Sequence, residues 1–190
     1  MLMPAVCIRA QNGSAPASDA LGAVTIAHGC VTSHSFNFSY RLPEGMKAQE
    51  IPGAPAASGA PAPTMLFVAY RDRGVHRDVA VATAEDESGE KDKSAAKWMD
   101  KLREANGKRE GVVDESDVQS LAVNGQKFAS LTFRQVREDG SVVNEAVYAT
   151  ALRGYIVSFT LGSADASELD SMEQSIQSFS PSAGGCPASP

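Results

Sequence analysis

Strict alternation over Phe36-Asn-Phe-Ser-Tyr-Arg-Leu42 places Phe36, Phe38, Tyr40 and Leu42 on one side and Asn37, Ser39 and Arg41 on the other. That period of two predicts a strand buried on one face. Pro43-Glu-Gly45 ends it, since Pro lacks the ladder N–H and Gly permits the turn. Met65–Tyr70 and Val79–Thr83 are apolar strand candidates joined by the polar turn Arg71–Arg77 with Gly74 at its centre, so they predict a hairpin. Charged residues from Glu85 to Lys93 predict a solvated loop. After it Ser94 caps a helix in which Ala95, Trp98, Met99, Leu102 and Ala105 recur at helical spacing and which stops at Asn106-Gly107.

The second half is more regular. Val118–Val123, Asn124-Gly125 and Gln126–Val136 give the strongest hairpin signal, because Asn-Gly suits the positive φ values of a type I′ turn. Phe128 falls out of phase with Leu131 and Phe133, which predicts a bulge near Ala129-Ser130. Glu138-Asp-Gly-Ser141 then turns the chain into Val142–Leu152, and Arg153-Gly154 turns it into Tyr155–Leu161, a meander of four strands. Asp165 with Glu168 three residues on forms a capping-box pattern. The helix it opens carries Leu169, Met172, Ile176 and Phe179 on one face, ready to cover a sheet. Runs of antiparallel strands with helices set apart in sequence predict an α+β fold, an antiparallel β-sheet flanked by helices.

Composition sets the domain limits. A chain of 190 residues with 43% hydrophobic and 21% charged residues fits one globular domain. Residues 1–23 predict a disordered tether or the remnant of a signal peptide, 24–180 the domain, and 181–190 a flexible tail. Within the domain, residues 52–63 hold four prolines among small residues and predict a mobile insertion. The formal charge of −6 disfavours a nucleic acid partner, which needs concentrated Lys and Arg. Lys91, Lys93, Lys97, Lys101 and Arg103 are interleaved with Glu85, Glu87, Glu90, Asp92 and Asp100, a mixed solvated face. No apolar run reaches the length of a spanning helix. The short apolar start, Met1 to Ala10, predicts export if it is the end of a truncated leader, and a cytoplasmic protein otherwise.

The candidate chemistry is sparse. His28-Gly-Cys30-Val-Thr-Ser-His34 would put two imidazoles and a thiolate on one face of a continuous strand, as a zinc or copper site requires. Ser33 and Ser35 predict a turn that breaks that face, so exposed histidines and a structural cysteine are the expected state. His76 lies near Asp72 and Asp78, and Glu44 is a further carboxylate that could orient an imidazole for acid/base work. No Gly-x-Ser-x-Gly elbow, Walker loop or Gly-x-Gly-x-x-Gly fingerprint accompanies them. The three cysteines are expected as unpaired thiols, with a Cys30–Cys186 bridge as the alternative in an oxidising compartment. No cofactor is expected, and no residue is assigned as catalytic.

The order of a strand pair, Phe-Asn-Phe-Ser-Tyr-Arg-Leu-Pro-Glu-Gly, a helix, a meander, and Arg153-Gly-Tyr-Ile-Val-Ser-Phe-Thr-Leu before an Asp-capped helix resembles the Mog1/PsbP-like α/β/α sandwich superfamily. The resemblance spans roughly Gly29 to Ser180. Its members include a photosystem extrinsic subunit, a small GTPase-binding protein and many bacterial envelope proteins, so it implies binding in place of chemistry and transfers no functional residue. The expectation is a non-enzymatic, exported or envelope-associated binding or accessory domain with a protein or small-molecule partner. The alternative is a hydrolase-like or metal-dependent enzyme using His76 or the His28/His34 region with nearby carboxylates.

Overall fold

The computed structural model describes residues 23–50, 63–87, 89 and 94–186. The first half contributes β1 (Thr25–Ala27), β2 (Cys30–Ser33), β3 (Phe38–Arg41), β4 (Lys47–Glu50), β5 (Thr64–Arg73), β6 (His76–Asp86) and α1 (Ala95–Asn106). The second contributes β7 (Val112–Val113), β8 (Gln119–Val123), β9 (Gln126–Val136), β10 (Val142–Leu152), β11 (Tyr155–Ser163) and α2 (Ala166–Glu173), followed by a 3₁₀ helix, Gln174–Ser178. The strands form an eight-stranded sheet in the order β4-β5-β6-β11-β10-β9-β7, with β8 also on β9, and a three-stranded sheet β1-β2-β3. Every pairing is antiparallel. The two predicted hairpin systems meet where β6 pairs with β11.

This is the α+β sandwich expected, with cover on both faces of the large sheet. On one face, α2, the 3₁₀ helix and the small sheet bury Phe38, Tyr40, Phe67, Phe159, Phe179, Leu169, Met172 and Ile176. Tyr40 and Phe159 have ring centroids 4.9 Å apart, and Phe38 and Phe159 5.8 Å apart, spacings at which tilted and edge-on rings attract. On the other face, α1 lays Met99, with Ala95, Trp98 and Leu102 beside it, over Ala129, Leu131 and Phe133 of β9, Val147 and Ala149 of β10 and Ile156 of β11. Ser94 caps α1 as expected, its hydroxyl accepting from the Lys97 N–H.

Several expectations need correction. The bulge near Ala129-Ser130 is absent, because β9 keeps continuous register with both β8 and β10. Phe128 belongs to the aromatic core and Leu131 and Phe133 to the α1 core, so the phase change reflects a strand buried on both faces. Phe36 precedes β3 instead of lying in it, since Asn37 takes φ 56° and turns the chain. Glu168 does not close a capping box: its carboxylate pairs with Arg71 and Arg73, and Asp165 alone caps α2 by accepting from the Ser167 N–H.

The thiols change most. Cys30 and Cys186 form a disulfide, so the expectation of three unpaired thiols fails for this pair. Residues 181–186, the described part of the expected tail, run as a strap. Ser180 bridges to Ser39, the Asn37 side chain donates to Pro181 O, and the Ser39 hydroxyl donates to Gly185 O. These bonds and the disulfide pin the strap to the outer face of the small sheet. The expected tether and Pro/Ala insertion fall outside the described residues, apart from Ala23 and Pro63 at their borders.

Candidate functional site

The sheet face under α1 is only partly covered. Strand register runs Tyr70–Val79–Gly162–Glu145–Phe133 as one row across β5, β6, β11, β10 and β9, and Val68–Val81–Thr160–Val147–Leu131 as the next. In each row the β9 residue lies under α1, while Val68, Tyr70, Val79, Val81 and Thr160 stay half-buried. α1 crosses at the Ile156 end of β11, where Trp98 donates its indole N–H to Glu85 at 2.8 Å. The Gly162 end is left open.

That open end forms a cleft of about 520 Å³ lined by Val75, His76, Arg77, Val79, Val81, Arg137, Ser141, Val142, Val143, Glu145, Thr160, Gly162 and Ala164. The volume suits a small ligand, and the apolar floor with few polar groups is the usual construction of such sites. Its depth comes from Gly162, which puts no side chain between Val79 and Glu145. A Cβ placed there would meet Val143 Cγ1 at 3.7 Å and Glu145 Cγ at 3.8 Å, ordinary contacts, so glycine is not demanded by packing.

Electrostatically the cleft contains one partly buried carboxylate. Burial pushes the Glu145 carboxyl above its ordinary value, against the opposing pull of the Arg109 and Arg137 charges. Gln135, with its amide turned, donates to Glu145 Oε1 at 3.3 Å. Arg77 is held elsewhere, bonded to Asp72 Oδ1 at 2.8 Å and stacked 4.9 Å from the Tyr70 ring centroid.

A second, shallower cleft of about 780 Å³ shares His76, Val142 and Ala164 with the first. Its wall contains an ion-pair network. Arg71 donates to Asp78 Oδ2 at 2.7 Å and to Glu168 Oε2 at 2.8 Å, and Ser163 donates to Asp78 Oδ1 at 2.8 Å. Burial raises the Asp78 pKa, but the bonds from Arg71 and Ser163 and the charges of Arg71 and Arg73 outweigh it and hold the carboxyl below its ordinary value. This network ties β5, β6, β11 and α2 together.

The residues singled out from sequence do not converge. His76 and Asp78 line the second cleft, but Asp78 is engaged by Arg71 and Ser163, and the His76 ring has no hydrogen-bond partner among the described residues. Asp72 pairs with Arg77, and Glu44 meets the network only by its backbone carbonyl, which accepts from Arg71. His28 and His34 sit in turns at opposite ends of β2, and Cys30, being oxidised, offers no thiolate. No group of three or more His, Cys, Asp or Glu among the described residues is placed to hold a metal ion. The residues missed were Gly162, Glu145 and Arg137. A signal for Glu145 was present: in Val143-Asn-Glu-Ala-Val147 it takes the same parity as the flanking valines, a charge on an apolar face.

No family model matches the chain, and no curated protein does. Among solved structures it is similar to cyanobacterial PsbP (CyanoP) from Synechocystis sp. PCC 6803, with TM-score 0.52 and 16% identity over 89% of this chain and 98% of that one. It is also similar to PA94, a protein of unknown function from Pseudomonas aeruginosa, with TM-score 0.45 and 15% identity over 82% of this chain and 95% of that one. A third is LpqN, involved in cell envelope biogenesis of Mycobacterium tuberculosis, with TM-score 0.48 and 13% identity over 79% and 83%. The fold is thus PsbP-like, as the order of elements implied. Likeness at this identity carries the fold alone.

Proposed function

We propose that this chain is a non-enzymatic binding or accessory domain, exported or envelope-associated, whose ligand or partner group sits in the cleft over Gly162. The observation that supports this is the row Tyr70–Val79–Gly162–Glu145–Phe133, sealed by α1 at one end and left with an apolar cleft at the other. An antiparallel sheet commonly leaves part of a face to water, but such a stretch is ordinarily polar, whereas here the uncovered part holds Val68, Tyr70, Val79 and Val81. Export is supported by the Cys30–Cys186 disulfide, a bond that persists in oxidising compartments and is rare in the cytosol. No helix among the described residues is long and apolar enough to cross a membrane. Binding in place of chemistry is favoured because His76 lacks an orienting partner and Asp78 is already engaged.

A photo-reactive side chain placed at Val75, on the cleft rim, tests the reading against the same group at His28, exposed in the β1–β2 turn. After irradiation in an envelope extract of the source organism, mass spectrometry should find a defined adduct at position 75 and none at position 28. Equal adducts at both, or none at position 75, would overturn the proposal.

A further inference from the structure

Glu145 and Arg137 both line the cleft, yet they form no ion pair with each other. The Arg109 charge, outside the cleft lining, pulls hardest on the Glu145 carboxyl, and the Arg137 charge also acts on it at longer range. The other cleft arginine, Arg77, is occupied by Asp72 and Tyr70. The Arg137 side chain is exposed and makes no side-chain hydrogen bond or ion pair among the described residues, its charge acting on Asp139 and Glu145 only at longer range. With Arg77 taken up by Asp72, the cleft presents the Glu145 carboxylate and the Arg137 guanidinium, held apart, above a floor of Val79, Val81, Val143, Thr160 and Gly162. Glu145 is partly buried and Arg137 is exposed at the rim, so a ligand that places its own opposite charges between them gains a charge-assisted contact at each end.

Resting on the cleft reading above, we propose that the ligand class is a small zwitterion with an apolar body, of the type of a free apolar amino acid. Its ammonium meets Glu145, its carboxylate meets Arg137, and its side chain lies on the valines over Gly162. A purely anionic amphiphile would gain Arg137 but set its charge near Glu145. A purely cationic one would gain Glu145 and leave Arg137 unpaired.

The test uses four probes of one shape: leucine, leucinamide (cation only), N-acetylleucine (anion only) and isoamyl alcohol (uncharged). Each is titrated into the ¹⁵N-labelled protein and followed at the amides of Val79, Gly162 and Glu145. Leucine should bind about tenfold or more tightly than any other probe. Glu145→Gln should reduce leucine to the level of N-acetylleucine, and Arg137→Gln should reduce it to the level of leucinamide, with spectra unchanged away from the cleft. Gly162→Val, which fills the floor, should remove the response to all four. Isoamyl alcohol binding as well as leucine, or either singly charged probe matching leucine, would overturn the zwitterion assignment and leave the cleft reading standing. No response at these amides to any probe would overturn both.

Discussion

The two faces of the large sheet are built from the same strands and differ in what seals them. On the α2 face, Phe38, Tyr40, Phe67, Phe159 and Phe179 interlock beneath the small sheet, and the disulfide strap holds that sheet down. On the α1 face, one helix of 12 residues covers β9 and β10 and leaves Val79 and Val81 half-buried. The first face buries the larger aromatic core, and the second leaves apolar surface half-covered. The proposed binding surface lies where cover stops, at the boundary marked by Glu145, with Phe133 on its covered side and Gly162 on its open side.

That contrast can be broken by substitution. Phe159→Ala, in the centre of the sealed face, should destabilise the protein by about 3–5 kcal/mol in urea unfolding. A loss under about 1 kcal/mol would show that face to be loosely packed. Val81→Ala, on the open face, should cost less than about 1 kcal/mol, because much of its surface is in water already. A Val81 loss as large as that of Phe159 would erase the distinction.

Reduction of Cys30–Cys186 should lower stability by about 2–4 kcal/mol, read as a downward shift of the urea midpoint in a reductant. It should also speed amide exchange in β3 and residues 180–186, while the cleft strands β10 and β11 keep their protection. Faster exchange at Gly162 would join the strap to the wrong face.

A smaller effect belongs to the network that closes one end of the sealed core. Asp78→Asn should cost about 2 kcal/mol at neutral pH, since Arg71 and Ser163 lose a charged acceptor. The Asp78 carboxyl lies below its ordinary value in the folded state. Its contribution is therefore present above the unfolded value of about 3.9 and fades as pH falls through the folded value. The stability gap between the native protein and the variant should narrow below about pH 4. A gap that widened there would reverse the assigned sign.

What the sequence made legible divides along the same line. Asn124-Gly125 takes φ 48° and 83°, so the local turn chemistry that predicted its hairpin operates in the fold. The helix faces around Met99 and Met172 were legible for the same reason, because their periods lie within one element. The Glu168 ion pairs and the Cys30–Cys186 bond, with a sequence separation of 156, depend on strands and helices meeting in space, which no local pattern encodes. The bulge expected in β9 came from assuming that one face is polar, an assumption that fails for a strand covered on both. The cleft was not legible in the sequence because its floor is made by a glycine and valines whose alignment depends on the pairing of β6 with β11.

The central claim, that the surface over Gly162 is left open for a ligand and not for packing, is tested most directly by Gly162→Val. Its unfolding midpoint and its adduct yield from the photo-reactive group at Val75 should be measured on the same preparation. An unfolding midpoint close to that of the native protein together with loss of the adduct is the expected result. An adduct undiminished in a folded variant, or a midpoint lowered as far as that of Phe159→Ala, would contradict it.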